Sequence, residues 1–296
     1  MRRDALFHGA EWGSVHCMMR GWFAHSRSLM RVSGALAVGA LLFAIARCAV
    51  AQPTAAANAG FDAYVSGVEG RIERQHGLRE GFLAGVDAGT AARVRQGELA
   101  VEQLTPADGG ELPGAMLHHW RATAFAQGVT AAEFERLLRD FARYPQVFAP
   151  EVLRSTVTAQ QGDRVDAVMR VRQRHVITVV MDTAYEVTFG RAEARRAWSM
   201  SRSTRIAEIE GAGTSKERVL GAAEEHGFLW RQNTYWSYEE RDGGLYMQME
   251  SVSLTRSIPT GLGWAVRPFV ESVPRESLEF TLRAVCGALK RTGPGG

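Results

Sequence analysis

The sequence predicts an α+β fold in which a curved antiparallel sheet of seven strands wraps around a long C-terminal helix. Three observations support this prediction. An amphipathic helix follows the first strand, hairpin-like turns separate several of the later strands, and an apolar stripe marks a closing helix. A sheet of this kind leaves a cavity between itself and the helix, and a cavity suggests a small-molecule ligand.

The first 51 residues have the features of a secretory signal peptide. An apolar run, 32–46, follows Arg31, and Ala49-Val50-Ala51 supplies an A-x-A cleavage site. The run of about 15 residues is short for a membrane span, which needs about 20. We therefore expect cleavage near Ala51 and a periplasmic or secreted protein with no membrane span. Three alternatives remain open: a retained anchor, lipidation at Cys48, and translation from Met30.

Composition excludes some classes of partner and cofactor. The net charge of +3 includes several arginines of the leader, so the mature chain is close to neutral, which argues against nucleic acid as a partner. Cys17 and Cys48 lie in the leader, and Cys286 alone remains for the mature chain. No intramolecular disulfide is then expected, and we predict no cofactor. The sequence does not determine the oligomeric state.

Residues 52–112 are predicted to form a helical and irregular N-terminal extension. Apolar residues between Phe61 and Ile72 recur at helical spacing and predict a short helix. Glycines recur every four residues from Gly77 to Gly89, which favours a weak helix or a loop. Gly97–Leu104 alternates loosely and predicts an edge strand. A Pro/Gly-rich turn, 106–110, then precedes the main domain.

The main domain, 113–291, opens with a predicted strand at 116–126. Thr130 and Glu133 have the spacing of a capping box, and the helix that they begin carries an apolar stripe from Phe134 to Phe141. Tyr144-Pro145 ends this helix, and a short second helical turn follows at 146–149. The chain therefore contains two small helices between the first strand and the rest of the sheet.

Six further strands are predicted after these helices. Their expected bounds are 152–160, 164–172, 176–189, 197–208, 228–240 and 245–256. The closing helix is expected to begin near Pro274, since proline is favoured in the first helical turn. Its apolar stripe contains Leu278, Leu282, Val285 and Leu289. Residues 292–296 are expected to form a disordered tail.

The helix and turn at 134–145 also carry a family resemblance. Asp140 and Tyr144-Pro145 are similar to the "aspartate, x, x, x, Tyr-Pro" turn of the START-like, or polyketide-cyclase-like (SRPBCC), helix-grip superfamily. The resemblance covers about 115–290, and segments 227–231 and 258–279 resemble a secreted bacterial branch that carries no assigned activity. It implies a helix-grip fold, and lipids, quinones or polyketides as ligand classes.

Aromatic residues and methionines on two neighbouring strands are the candidate ligand-binding residues. Alternation predicts that Trp230 and Trp236 share one face with Met247, Met249 and Ser251 of the next strand. An ordinary core under the closing helix explains the same pattern. Arg205 and Arg256 are candidates for binding an anionic group, with Glu250 as an alternative, internal partner. Trp264 is a further candidate. It lies in the segment 258–270, in which two glycines flank Leu262 and which is a lid or a rigid turn.

The sequence supports a catalytic function less well than it supports ligand binding. No residues have the spacing of a metal site, a phosphate loop, a dinucleotide site or a serine nucleophile. The leading hypothesis is therefore a non-enzymatic binder of a hydrophobic or amphipathic small molecule. The first alternative is an acid–base enzyme, such as a cyclase or aromatase, which uses His119, Tyr235, Glu250 and Arg205. The second alternative is an envelope protein that contacts a partner through 61–94.

Overall fold

A large antiparallel sheet is the central element of this computed structural model. The structure describes residues 52–78, 80–106, 110–174, 178–258 and 263–292. The side chains at 263–271 and 292 are not described. The leader at 1–51 and most of the expected tail lie outside the described residues. Ten strands form one antiparallel sheet, in the order β1-β3-β10-β9-β7-β6-β5-β4, with β2 paired to β3 and β8 paired to β7. The strands are β1 (Ala100–Gln103), β2 (Glu111–Leu112), β3 (Ala115–Gln127), β4 (Val152–Gln161), β5 (Arg164–Arg174), β6 (Thr178–Glu193), β7 (Arg196–Glu210), β8 (Arg218–Val219), β9 (Arg231–Arg241) and β10 (Gly244–Arg256).

The predicted helix-grip fold is confirmed. All seven predicted strands are present, as β3–β7, β9 and β10, and the predicted edge strand is β1. The hairpin between β9 and β10 turns at Asp242 and Gly243, whose φ angles are 55° and 73°. Positive φ at both positions suits the twist of a two-residue hairpin, which is why aspartate and glycine occupy them.

Five α-helices accompany the sheet in the described part of the chain. They are α1 (Ala55–His76), α2 (Ala88–Arg95), α3 (Ala131–Arg139), α4 (Tyr144–Val147) and α5 (Gly263–Thr292), and a 3₁₀ turn (Phe141–Arg143) precedes α4. The capping box of α3 forms as predicted, since Thr130 and Glu133 exchange side-chain-to-backbone hydrogen bonds.

The predicted start of the closing helix is wrong, because α5 begins at Gly263 and contains Pro274 in its interior. Proline removes one backbone donor but its φ angle is helical, so a helix that is supported elsewhere can continue through it. The predicted start of β9 is also wrong. The strand begins at Arg231, and Trp230 precedes it.

One face of the sheet, which we call the inner face, packs against α5. The apolar stripe of α5 is buried there, with Leu278, Leu282 and Val285 at most 1% exposed. Alanines of β3 (Ala122, Ala124 and Ala126) allow the close approach of the helix, and Phe134 of α3 joins the same core cluster. The sheet therefore holds its closing helix by apolar contact, as the sequence pattern indicates.

The opposite face, which we call the back face, is covered by the N-terminal helices. Phe61, Val65, Val68 and Ile72 of α1 pack in one cluster with residues of β3, β9 and β10. A second cluster joins Phe82 and α2 to Tyr246. The apolar stripe that was considered as a contact arm for a partner is thus buried against the chain's own sheet.

Candidate functional site

A cavity of about 370 Å³ lies on the inner face of the sheet. Residues of α5 line it on one side, and residues between Leu138 and Phe148 line it on another. Small-molecule sites have volumes of about 300–1,000 Å³, so this cavity has room for a small ligand. It lies in the place that the sequence predicts, between the sheet and the closing helix.

Strand alternation determines which sheet residues line the cavity. Successive side chains of a strand point to opposite faces, so every second residue of β6, β7 and β9 reaches the inner face. The cavity residues from these strands and from β10 are Tyr185, Val187, Phe189, Ser199, Ser201, Gln232, Thr234, Trp236 and Met249.

The Tyr144-Pro145 turn brings an aromatic cluster to the cavity. The ring of Tyr144 lies 4.9 Å from that of Phe141 and 5.0 Å from that of Phe148, and all three residues line the cavity. The Tyr144 hydroxyl donates a hydrogen bond of 2.6 Å to the carbonyl of Leu138, and burial raises the pKa of this phenol. The turn residues that carry the family resemblance therefore shape one wall of the cavity.

Neutral polar groups lie among these apolar residues. The Tyr185 hydroxyl donates a hydrogen bond of 3.0 Å to Gln232 Oε1, and Gln232 Nε2 donates to Ser251 Oγ at 3.4 Å. Burial raises the pKa of Tyr185 to about 12. The phenol therefore stays protonated at physiological pH, and this part of the cavity wall is polar but uncharged.

Two of the four described charged residues that line the cavity are exposed to solvent. The charged side chains among its described lining residues are Glu151, Arg172, Arg174 and Glu276, two of each sign. Arg174 and Glu276 are exposed, which indicates where the cavity opens, and Arg172 donates a hydrogen bond of 2.9 Å to the carbonyl of Pro150. Glu151 and Arg172 are half-buried, and Arg172 Nε is buried without a hydrogen-bond partner among the described residues. The four formal charges of the lining cancel, but they do not all lie at the opening.

The structure brings together only part of the predicted ligand-binding set. Trp236 and Met249 line the cavity. Met247 is fully buried in the same core cluster without lining the cavity, and Ser251 lies next to the cavity as the acceptor for Gln232. Residues 259–262 and the side chain of Trp264 lie outside the described residues, and the backbone of 263–270 forms the beginning of α5. The choice between a lid and a rigid turn stays untested.

Three other candidates lie away from the cavity. Trp230 packs in the back-face cluster with α1, because it precedes β9 and does not follow the alternation of that strand. The expectation that it shares a face with Trp236 is therefore wrong. Arg205 is exposed to solvent on β7, and Arg256 donates a hydrogen bond of 3.0 Å to the carbonyl of His226. Neither arginine lines the cavity.

The residues considered for acid–base chemistry also lie elsewhere. His119, Tyr235 and Glu250 are all buried on the back face, beneath α1, and Arg205 is remote from them in solvent. The alternative in which Glu250 pairs with Arg205 or Arg256 is wrong. Its partners are Arg71 of α1 and Arg121 of β3.

This buried cluster joins α1 to the sheet. Arg71 contacts both carboxylate oxygens of Glu250, His119 Nε2 lies 3.0 Å from Glu250 Oε2, and Tyr64 Oη lies 2.9 Å from His119 Nδ1. Burial acts to raise the pKa of Glu250, but hydrogen bonds from His119 and Arg71 and the charge of Arg71 outweigh it and lower the pKa to about 2. Glu250 is thus a fixed carboxylate that holds the back face together.

Tyr235 is tied into the same interface. Its hydroxyl donates a hydrogen bond of 3.0 Å to Glu69 of α1, and Asn233 donates to it at 3.2 Å. Burial raises its pKa. Within the described residues, no group of three or more His, Cys, Asp or Glu side chains is placed to hold a metal ion, and no helix is long and apolar enough to cross a membrane.

Several cavity residues were missed at the level of sequence. Tyr185, Ser199 and Ser201 were not among the candidates, although they lie on the inner face beside Trp236. A signal for the serines is present in β7, where Ser199, Ser201 and Ser203 alternate with larger residues. Small hydroxyl residues at every second position of a long strand indicate a face with space in front of it.

Solved structures of similar fold include members of the superfamily that the sequence resembles. A STAR-related lipid transfer protein from Xanthomonas axonopodis is 15% identical, with a TM-score of 0.42, over 64% of this chain and 98% of its own. A START superfamily protein from Mycobacterium smegmatis is 16% identical, with a TM-score of 0.40, over 59% of this chain and 99% of its own.

An enzyme appears among these structures as well. The Zhui aromatase/cyclase from a Streptomyces species is 13% identical, with a TM-score of 0.42, over 61% of this chain and 99% of its own. No protein-family model matches the chain, and no curated protein matches it at a significant level.

Proposed function

We propose that this protein binds a hydrophobic or amphipathic small molecule in the cavity between the sheet and α5. The observation that carries the proposal is the lining, in which aromatic rings from the turn, the sheet and α5 surround a space of about 370 Å³. Removing apolar ligand surface from water contributes roughly 25 cal/mol for each Å² that is buried. A cavity lined in this way is therefore suited to hold such a ligand.

Binding is favoured over acid–base catalysis by the position of the ionisable groups. His119 and Glu250 are bonded to each other beneath α1, on the face of the sheet opposite the cavity. A general acid or base must come within hydrogen-bond reach of its substrate. Neither residue meets this requirement for a ligand in the cavity.

We also propose that the protein acts outside the cytoplasm. The apolar run and the A-x-A site of the leader support export, and they leave the choice between the periplasm and secretion open. In either compartment, a carrier would keep a poorly soluble molecule away from water. N-terminal sequencing of the protein from its native host tests this part, and an intact leader on cytoplasmic material would contradict it.

A cavity-filling variant tests the binding function. Ser277 lines the cavity from α5, and Ser277→Trp places a large ring in that space. Arg283→Trp puts the same ring on the exposed side of the same helix and is the matched control. We expect saturable binding of the neutral dye Nile red by the wild type and by Arg283→Trp, and at least tenfold weaker binding by Ser277→Trp. Equal binding by all three proteins would place the dye elsewhere.

A further inference from the structure

Three hydroxyl groups form a polar strip within the cavity, and we define this hydroxyl strip as Ser199, Ser201 and Thr234. They come from neighbouring strands, since Ser201 of β7 is the register partner of Thr234 of β9. All three line the cavity, and Ser199 is only 5% exposed. In the described part of the chain, their side chains take part in no hydrogen bond.

Neighbouring polar groups of the inner face are used within the protein. The hydroxyls of Tyr185, Ser203 and Ser251 each bond to Gln232. Ser201 and Thr234 are half-buried, and the three hydroxyls are not sealed from the cavity, so water can bond with them when no ligand is bound. A ligand that displaces this water loses affinity unless it brings a polar group to the strip. The strip is therefore positioned to bond with a group on the ligand.

The charges of the cavity indicate what kind of group this is. The strip and the Tyr185–Gln232–Ser251 group beside it are neutral. Of the four charged residues in the described lining, two of each sign, Arg174 and Glu276 are exposed, Glu151 and Arg172 are half-buried, and Arg172 Nε is buried without a hydrogen-bond partner. An ionised group placed against the strip would lose its hydration without gaining an opposite charge. A hydroxyl or carbonyl oxygen bonds well to serine and threonine hydroxyls, which both donate and accept.

We infer that the hydroxyl strip is a specificity subsite for a neutral hydroxyl or carbonyl group on an otherwise apolar ligand. This inference rests on the proposed binding function and names the chemistry that the cavity selects. A fully apolar molecule leaves the three hydroxyls unpaired, and an anionic amphiphile finds no charged group within the strip itself to pair with. Both are bound less well than a neutral polar molecule of equal size.

Three probes of similar size test the subsite: 2-naphthol, 2-methylnaphthalene and 2-naphthoate. Each displaces Nile red from the wild type and from a triple variant, Ser199→Ala, Ser201→Ala and Thr234→Val. We expect the preference for 2-naphthol over 2-methylnaphthalene to fall about tenfold in the triple variant, which is the loss of one good hydrogen bond. Thr204→Val changes an exposed hydroxyl of β7, which bonds to the carbonyl of Ala184, and should leave the preference unchanged.

The outcomes separate this inference from the proposed function. An unchanged preference in a folded triple variant that still binds Nile red overturns the subsite and leaves the binding function in place. Tightest binding of 2-naphthoate by the wild type overturns the neutral character of the subsite. Failure of the wild type to bind Nile red or any of the probes contradicts the binding function itself. Circular dichroism confirms that each variant is folded.

Discussion

Arg71 of α1 and Glu250 of β10 form an ion pair in which the guanidinium contacts both carboxylate oxygens. The two residues are 179 positions apart in the chain, and Glu250 is almost fully buried. The pair joins the N-terminal helix to the middle of the sheet, on the face opposite the cavity. The N-terminal segment is thus an integral layer of the folded protein.

Replacing Arg71 with leucine is expected to destabilise the protein. The change removes one partner of a buried carboxylate, although His119 and Arg121 still contact it. We expect the free energy of unfolding to fall by about 1–3 kcal/mol in urea denaturation, less than for a buried carboxylate that loses all its partners. Arg74→Leu, at an exposed position of the same helix, should change it by less than about 0.5 kcal/mol. Equal effects would show that the ion pair does not hold α1 in place.

The stability of the fold should decrease on mild acidification. His76 is enclosed by the rings of Phe82 and Trp198, and burial lowers its pKa from 6.5 to about 4. The unfolded chain then binds a proton that the folded chain does not, so stability is lost as the pH falls from about 6.5 to 4. Burial lowers the pKa of His118 similarly, and the pKa of Glu250, held at about 2, adds a further loss below about pH 4.5.

A histidine variant isolates the contribution of His76. His76→Gln retains a polar side chain near Ser237, with which the ring bonds at 2.7 Å, but it does not titrate. A pKa unit corresponds to about 1.4 kcal/mol, so we expect this variant to lose less stability than the wild type between pH 6.5 and 4, by on the order of 1–3 kcal/mol. Parallel stability curves for the two proteins would contradict a buried, neutral His76.

The closing helix should contribute strongly to stability through Leu282. This side chain is fully buried in the inner-face core, and Leu282→Ala is expected to lower the free energy of unfolding by about 2–5 kcal/mol. Lys290→Ala, at an exposed position of α5, should have little effect. Comparable, small shifts of the denaturant midpoint would show that α5 does not pack on the sheet as described.

Two glycines should respond to alanine with opposite signs. A Cβ atom at Gly190 would lie 2.2 Å from the ring of Trp198, its partner on the neighbouring strand, so Gly190→Ala forces the ring or the strand to move. We expect a loss of about 1–3 kcal/mol. Gly67, exposed within α1, has open space around its Cβ position, and Gly67→Ala should stabilise by about 0.5–1 kcal/mol. A gain at Gly190 would contradict the close contact with Trp198.

Much of the fold follows from local signals in the sequence. The capping box at Thr130 and the hairpin-like turn between β9 and β10 each act over a few residues, and each formed as predicted. The start of α5 did not follow such a signal, because Pro274 is compatible with both the first turn and the interior of a helix. Local sequence signals predicted which helices and strands form. They predicted less reliably the residue at which a helix or strand begins.

The site depended on relationships that no local pattern contains. Trp230 and Trp236 have the spacing of one face, but the strand begins after Trp230, so the two rings lie on opposite faces. Glu250 was considered as a partner of a strand arginine, but its closest ion-pair partner is on a helix 179 positions earlier in the chain. Tertiary packing determines which face of the sheet α1 covers. The position of α1 in turn determines which polar residues of the sheet face the cavity.

Native mass spectrometry of the protein from its native host shows whether the cavity holds a ligand. We expect one small molecule in each chain, mainly apolar with a neutral hydroxyl or carbonyl group. We also expect that Arg283→Trp retains this molecule and that Ser277→Trp, which fills the cavity, lacks it. A wild type that carries no molecule and binds none when offered a lipid extract, or a Ser277→Trp variant that carries the same molecule in equal amount, would contradict a ligand in this cavity.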